Sequence, residues 1–177
     1  MKVILETARL YLRELTPADY GALCEILQDE KTMYAYEHAF SDEEARDWLN
    51  RQLARYEAHG FGLWAVVRKS DGEFLGQSGL TMQTCGEGQV PEIGYLFLRR
   101  HWHKGYAAEA AAGVRKYAFE VLRVPKVYSI IRDSNYPSQR VAERNGMKRE
   151  GVMVKHYYGM DMPHFIYSVE NPSLFVI

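Results

Sequence analysis

The sequence predicts a mixed α/β domain whose helices interrupt a sheet at irregular intervals, and three observations carry that reading. The apolar run Ile93–Leu98 passes through a basic turn into a segment with helical spacing. There Ala107, Ala110, Ala111, Val114, Tyr117, Ala118, Val121 and Leu122 recur three or four residues apart. Two earlier strand-like runs flank Lys69–Glu73, whose Asp71-Gly72 pair is a hairpin signal. Finally, the strands group as three or four early and two late ones, with helices between. That is not the regular alternation of a doubly wound fold.

Taken in order, Leu10–Arg13 alternates and reads as a strand. Thr16-Pro17-Ala18-Asp19 supplies a cap, a proline for the first helical position and an acid for the first turn, and Tyr20, Leu23, Cys24 and Leu27 follow at helical spacing. Residues 28–40 lack periodicity but are rich in rings: Tyr34, Tyr36, His38 and Phe40. A second helix begins at Ser41, with Glu44 completing a capping box, buries Ala45, Trp48, Leu49, Leu53 and Tyr56, and ends at Gly60. Strands are expected over Gly62–Arg68, Phe74–Met82 and Val90–Leu98, the last pair joined by the turn Cys85–Gly88. After the long helix, Val127–Ile131 reads as a short buried strand and 137–145 as a short helix closed by Gly146. The remainder, 147–169, reads as a strand, a turn at Gly159–Pro163 and a last strand.

A chain of 177 residues is most simply one domain, 1–177, large enough to bury a real core. Its formal net charge of −1 argues against general nucleic-acid binding, so any basic stretch is a local feature. Cys24 and Cys85 form neither a disulfide framework nor a metal-spaced cluster, which fits a reducing cytoplasm. No apolar run reaches membrane-spanning length and the start lacks the apolar core of a signal peptide. The expectation is a cytoplasmic protein without nucleic-acid or membrane partners, either monomer or homodimer.

The strand–turn–helix unit around 99–112 carries the functional signal. The first turn of a helix offers unpaired N–H groups and the positive end of the helix dipole, which suit an anion. Gly105 lets a ligand approach the backbone, Ala107 and Ala108 keep the entrance open, and Arg99, Arg100 and Lys104 add positive charge. A phosphate-binding turn is the functional reading; an ordinary basic α/β connection is the other. The Walker and dinucleotide patterns do not occur here. His101 and His103 alone do not make a metal site, and no metal is expected.

Four stretches in this order resemble a known family. They are Thr7–Arg13 followed by Thr16–Asp19; Glu92-Ile93-Gly94-Tyr95; Trp102–Ala110; and Asn135-Tyr136-Pro137-Ser138 followed by Glu143–Met147. Together they are similar to the GNAT (GCN5-related N-acetyltransferase) superfamily, most closely its RimJ/RimL-type branch, over residues 7–169. The resemblance implies a mostly antiparallel mixed sheet of six to seven strands, splayed at its centre and flanked by about four helices. It also implies transfer of an acetyl group from acetyl-CoA to an amine. The pantetheine would lie along Phe97, Leu98 and Arg99, and the pyrophosphate on the N–H groups of His103, Lys104, Gly105, Tyr106, Ala107 and Ala108. Asn135 and Ser138 would stand beside the thiol; on composition alone Asn135 equally suits a turn and Ser138 a helix cap.

The branch commonly has glycine where His103 stands, so here a Cβ either crowds the diphosphate or an imidazole adds charge. The amine must lose a proton before it attacks, and the leaving thiolate benefits from a donor. On the resemblance Glu92 is the base, acting through water. Regular alternation would put it on one face with Gly94, Leu96 and Leu98, where burial raises its pKa; otherwise it is a solvated acid after Pro91. The tyrosine that many members place in the last helix is replaced by Ala142, which leaves Ser138 as donor and Tyr157 and Tyr158 as fallbacks. Main-chain N–H groups near Leu96 or Phe97 would serve the oxyanion. The acceptor, a peptide N-terminus or a small amine, is expected between Tyr34, Tyr36, His38 and Phe40, helped by Glu37, and His156, Tyr157 and Tyr158 opposite. A CoA-binding sensor without turnover is the alternative, and a nucleotide-binding protein a weaker third.

Overall fold

The structure, a computed structural model, describes residues 2–157 and 159–174. Strands β1 (Val3–Glu6) and β2 (Leu10–Arg13) form a hairpin, and a 3-10 turn at Pro17–Asp19 leads into α1 (Tyr20–Leu27). A second 3-10 turn (Tyr34–Tyr36) precedes α2 (Asp42–His59), β3 (Leu63–Arg68), β4 (Phe74–Cys85) and β5 (Gly88–Phe97). Then come a 3-10 turn at Arg99–His101, α3 (Tyr106–Glu120), β6 (Lys126–Arg132), α4 (Tyr136–Arg144), β7 (Lys148–Tyr157) and β8 (Met160–Glu170). The eight strands make one sheet in the order β1-β2-β3-β4-β5-β6-β8-β7, antiparallel except where β5 meets β6. The expected fold class holds.

Two cores sandwich the sheet. On one face α3 packs Ala110, Ala111, Val114 and Ala118 against Trp64, Val66, Leu80, Ile93 and Phe97. On the other, α1 and α2 pack Leu23, Leu27, Ala45 and Leu49 against Ala65 and Val67. Because both faces of β3 are covered, its sequence Leu-Trp-Ala-Val-Val is apolar throughout instead of alternating. The capping box of α2 forms as read: Ser41 Oγ accepts from the Glu44 N–H, and the Glu44 carboxylate accepts from the Ser41 N–H. Gly60 closes the helix at φ 75°. Arg13 grips Asp19 through two 2.8 Å hydrogen bonds, anchoring the turn before α1.

Three local expectations are corrected. Strand β1 adds an eighth strand; its four residues neither alternate nor end in a turn signal. Met160–Pro163, expected in a turn, lie in β8, with Pro163 opposite Val154. The Pro163 carbonyl accepts the Asp133 N–H just past the end of β6, so its missing donor falls where the ladder stops. Helix α4 starts one residue early because Asn135, not Ser138, is its cap, accepting from the Ser138 N–H.

Candidate active site

The site begins where the sheet comes apart. Strands β5 and β6 are paired only at Glu92 and Tyr128, and beyond that point they diverge. At the apex the Glu92 carboxylate takes the Ile130 N–H at 3.0 Å, and Ser129 Oγ donates to the Ile93 carbonyl at 2.9 Å. A side-chain oxygen thus replaces a strand carbonyl as the acceptor for β6. Burial pushes the Glu92 carboxyl above its ordinary range, against the opposing charge of Lys155, the Ile130 hydrogen bond and the charge of Arg55.

Residues on either side of Glu92 alternate as expected. Ile93 and Phe97 are buried in the α3 core, while Leu96 packs with the α1–α2 core, which places Glu92 on the α1–α2 face. Tyr95 points the other way, and its hydroxyl donates to the Ser138 carbonyl at 2.9 Å. Base candidate and donor candidate therefore lie on opposite sides of β5, and the gap between β5 and β6 is the route between them. The Ser138 hydroxyl, in the first turn of α4, makes no hydrogen bond among the described residues. Ala142 is buried in the core beneath α4, where it has no access to a thiol.

The basic turn has the shape an anion needs. His103 and Gly105 both adopt left-handed backbone, at φ 61° and 78°, and Gly105 caps α3. The N–H groups of His103, Lys104, Gly105, Tyr106, Ala107 and Ala108 have no acceptor among the described residues. Long-range contacts hold the turn from behind. Arg9 donates to the Lys104 carbonyl at 3.1 Å and lies 4.5 Å from the Tyr106 ring centre. Glu109 takes Arg9 Nε at 2.6 Å and Thr7 Oγ1 at 2.7 Å. Burial pushes the Glu109 carboxyl up, but these bonds outweigh it and hold it below the usual range.

The charges expected from Arg99 and Arg100 are largely spent elsewhere. Arg99 faces Asp29 at 3.4 Å, and Arg100 pairs with Glu25 at 2.6 Å and Glu73 at 3.4 Å. His101 is buried against Glu73 at 2.9 Å while His103 is exposed, so the two histidines occupy different environments. Along the expected pantetheine track, the Phe97 carbonyl accepts Trp102 Nε1, the Leu98 N–H goes to Leu75, and the Leu98 and Arg99 carbonyls close the following turn. The Arg99 N–H has no acceptor among the described residues.

The aromatic segment 34–40 folds over the mouth of the gap. The Tyr34 hydroxyl donates to Asn135 Oδ1 at 2.7 Å, and Arg132 donates to the Tyr34 carbonyl at 3.2 Å. Tyr36 packs edge-on against Phe40 and Trp48. Burial raises the pKa of the Tyr36 hydroxyl, and the nearby Glu92 and Tyr157 raise it further. A cleft of about 530 Å³ is lined by Tyr34, Glu37, His38, Arg132 and Met160. His38 pairs with Glu44, and His156 with Asp161. Tyr158 lies outside the described residues.

Several site groups escaped the sequence reading: Tyr95, Arg9, Arg55, Arg132, Lys155 and His164. Alternation along β5 could have turned Tyr95 towards α4. The others depend on pairings between distant strands or on helix placement, and no local signal marks them.

The sequence pattern of the Acetyltransferase (GNAT) domain family matches residues 9–148. The chain is 37% identical to YkkB of Bacillus subtilis over 147 residues, 82% of this chain and 86% of that protein. Among solved structures it is similar to an acetyltransferase (GNAT family) from Bacillus anthracis. There the TM-score is 0.81 and the identity 26%, covering 94% of this chain and 98% of the other. It also shares its fold with RimL, a ribosomal L7/L12 alpha-N-protein acetyltransferase solved with coenzyme A. The TM-score is 0.77 at 17% identity, over 96% of this chain and 98% of RimL.

Proposed function

The chain belongs to the GNAT acetyltransferases, and on that premise we propose that it acetylates a primary amine, with Glu92 as base through one water and Ser138 as donor to the departing sulfur. The observation that carries this assignment is the position of Glu92 at the apex of the gap, half-buried and raised in pKa. Acetyl-CoA supplies an activated acetyl thioester. The six unpartnered N–H groups at 103–108 fit its diphosphate, and the Arg99 N–H and the diverging edges of β5 and β6 fit its pantetheine.

The chain's own groups then divide the proton work. On the α1–α2 face, Glu92 accepts the ammonium proton, which frees the nitrogen lone pair to form the new C–N bond. As the C–S bond breaks on the α4 side, the Ser138 hydroxyl gives its proton to sulfur and is restored by the second proton lost from the nitrogen, which leaves the free thiol and a neutral amide. Tyr95 fixes the Ser138 carbonyl and Asn135 its N–H, so the backbone that carries this hydroxyl is held while the hydroxyl itself is left free for sulfur. A peptide N-terminus and a small-molecule amine both fit the cleft beside Tyr34 and Tyr36.

Glu92→Gln tests the assignment. General-base catalysis typically contributes about 10² to 10⁴-fold, so kcat should fall by roughly that factor while acetyl-CoA affinity stays constant. In the parent enzyme, kcat should rise with pH through a midpoint above the ordinary carboxylate range, because only ionised Glu92 accepts the proton. The variant should lose that limb. A Glu92→Gln enzyme with undiminished kcat would remove Glu92 from the mechanism.

A further inference from the structure

The charges around Glu92 bear on which amine the enzyme takes. Strand register puts Arg132, His164 and Lys155 on the same face of the sheet as Glu92. Glu92 pairs with Tyr128 and Tyr128 with Ser168, Arg132 pairs with His164, and Lys155 pairs with Met162, two residues further along β8. Arg55 reaches the same place from α2, near enough for its charge to act on both Glu92 and Tyr36.

Arg55, Arg132 and Lys155 are all half-buried, yet none forms an ion pair among the described residues. Arg55 donates to the neutral Gln52 side chain at 3.2 Å and Arg132 to the Tyr34 carbonyl at 3.2 Å. Burial and the charges of Lys155 and Arg132 lower the pKa of His164, which favours its neutral form. Three acids face these groups: the charge of Glu92 acts with those of Arg55 and Lys155, that of Asp133 acts on His164, and Glu37 lines the outer cleft with Arg132, its Oε1 without a hydrogen-bond partner among the described residues. Half-buried cations without a direct ion pair are costly, and a ligand carboxylate would relieve that cost.

We propose that the acceptor is an amine that also carries a carboxylate, its nitrogen at Glu92 and its carboxylate taken by Arg55 and Lys155. The inference rests on the acetyl-transfer reading above. The same cations would disfavour an ammonium next to them, so the field that binds the carboxylate also helps free the nitrogen for attack. A polyamine or an unsubstituted alkylamine would meet the same repulsion with only the contact to Glu92 to set against it. The carboxylate chemistry is common to a free amino acid and to a peptide whose second residue is acidic.

The test measures thiol release from acetyl-CoA with matched acceptors: amino acids against their amides and decarboxylated amines, and peptides with Asp against Asn at the second position. The carboxylate-bearing member of a pair should win by roughly tenfold or more in kcat/KM, as expected for a charge-assisted contact. A preference confined to amino acids or to peptides identifies the source. Arg55→Gln with Lys155→Gln should bring the ratio to about 1 by raising KM for the carboxylate-bearing member alone, whereas Arg55→Lys should keep most of it. If the two cations only tune Glu92, the pH midpoint of kcat moves equally for both acceptors and the ratio stays, which overturns the proposal. Equal or better use of the amides, or no thiol release with any carboxylate-bearing amine, also overturns it. Acetyl-CoA binding, titrated separately on the same protein, shows whether the acetyl-transfer reading fails with it.

Discussion

The turn proposed to hold the cofactor and the face proposed to hold the acceptor are assembled in opposite ways. The turn from Arg99 to Glu109 is a single run of chain. Its shape comes from two left-handed residues, one helix start and a bracing contact from Arg9. The acceptor face is gathered from α2, the Tyr34–Tyr36 turn and strands β5 to β8, and no two of its charged groups are neighbours in sequence. A family can therefore keep the first as a motif while the second varies side chain by side chain. On the proposed assignments, binding of the cosubstrate is written locally, whereas acceptor choice is written in strand register.

If that division is real, damage to the turn should stay in the turn. Gly105 sits at φ 78°, where a β-branched side chain is strongly strained, and its position opens straight onto Arg9. Gly105→Val should weaken acetyl-CoA binding by about ten- to a hundredfold, in line with a cost of ~1–3 kcal/mol for holding such a conformation. Isothermal titration checks the affinity. The pH midpoint assigned to Glu92 should not move in the same variant. A shifted midpoint would mean the two regions are one cooperative unit, and the comparison would break.

The same division explains what the sequence made legible. The glycine of the turn, the capping box at Ser41 and the helix end at Gly60 rest on contacts within a few residues and were readable, whereas the brace that Thr7 and Arg9 give the turn from between β1 and β2 was not. The face that Glu92 occupies was readable because alternation along one strand needs no partner, while its choice as base rests on the family resemblance. Asn135 and Ser138 were singled out as a pair beside the thiol; that Asn135 is the cap of α4 was not readable, since either residue type can cap a helix. Arg132, Lys155 and His164 stayed invisible. Their shared face exists only once β6 pairs with β8 and β8 with β7, and Pro163 disguised part of β8 as a turn. The positive charge credited to Arg99 and Arg100 misled for a related reason: their acidic partners Asp29, Glu25 and Glu73 come from distant elements.

One hydrogen bond ties the aromatic segment to the start of α4, where the thiol is proposed to lie, and it can be cut alone. Tyr34 donates to Asn135, which already caps α4 through the Ser138 N–H, so Tyr34→Phe leaves the cap in place. A hydrogen bond of this kind is worth about 1 kcal/mol net, so the acceptor KM should rise roughly fivefold as the aromatic segment loosens. Acetyl-CoA affinity should stay within about twofold of the parent if the regions are separable. Steady-state kinetics with each substrate varied in turn gives both numbers. An equal loss in both would show that Asn135 transmits between them.

The smallest effect sharpens the turn itself. His103 holds φ 61° with a Cβ, and its side chain is exposed. Left-handed backbone costs a non-glycine residue ~1–2 kcal/mol, and glycine gives back ~0.5–1 kcal/mol through the entropy of the unfolded chain. His103→Gly should therefore stabilise the protein by about 0.5 kcal/mol, a rise of roughly 1–2 °C in Tm by calorimetry. The residue has a second consequence, because its side chain stands beside the open N–H groups. Acetyl-CoA affinity of His103→Gly and His103→Arg against the parent separates charge from crowding. If His103→Gly weakens binding and His103→Arg keeps or tightens it, positive charge at this position contributes, and the strain is offset by affinity. If His103→Gly tightens binding and His103→Arg weakens it, the side chain crowds the ligand, and the histidine costs the turn both stability and affinity.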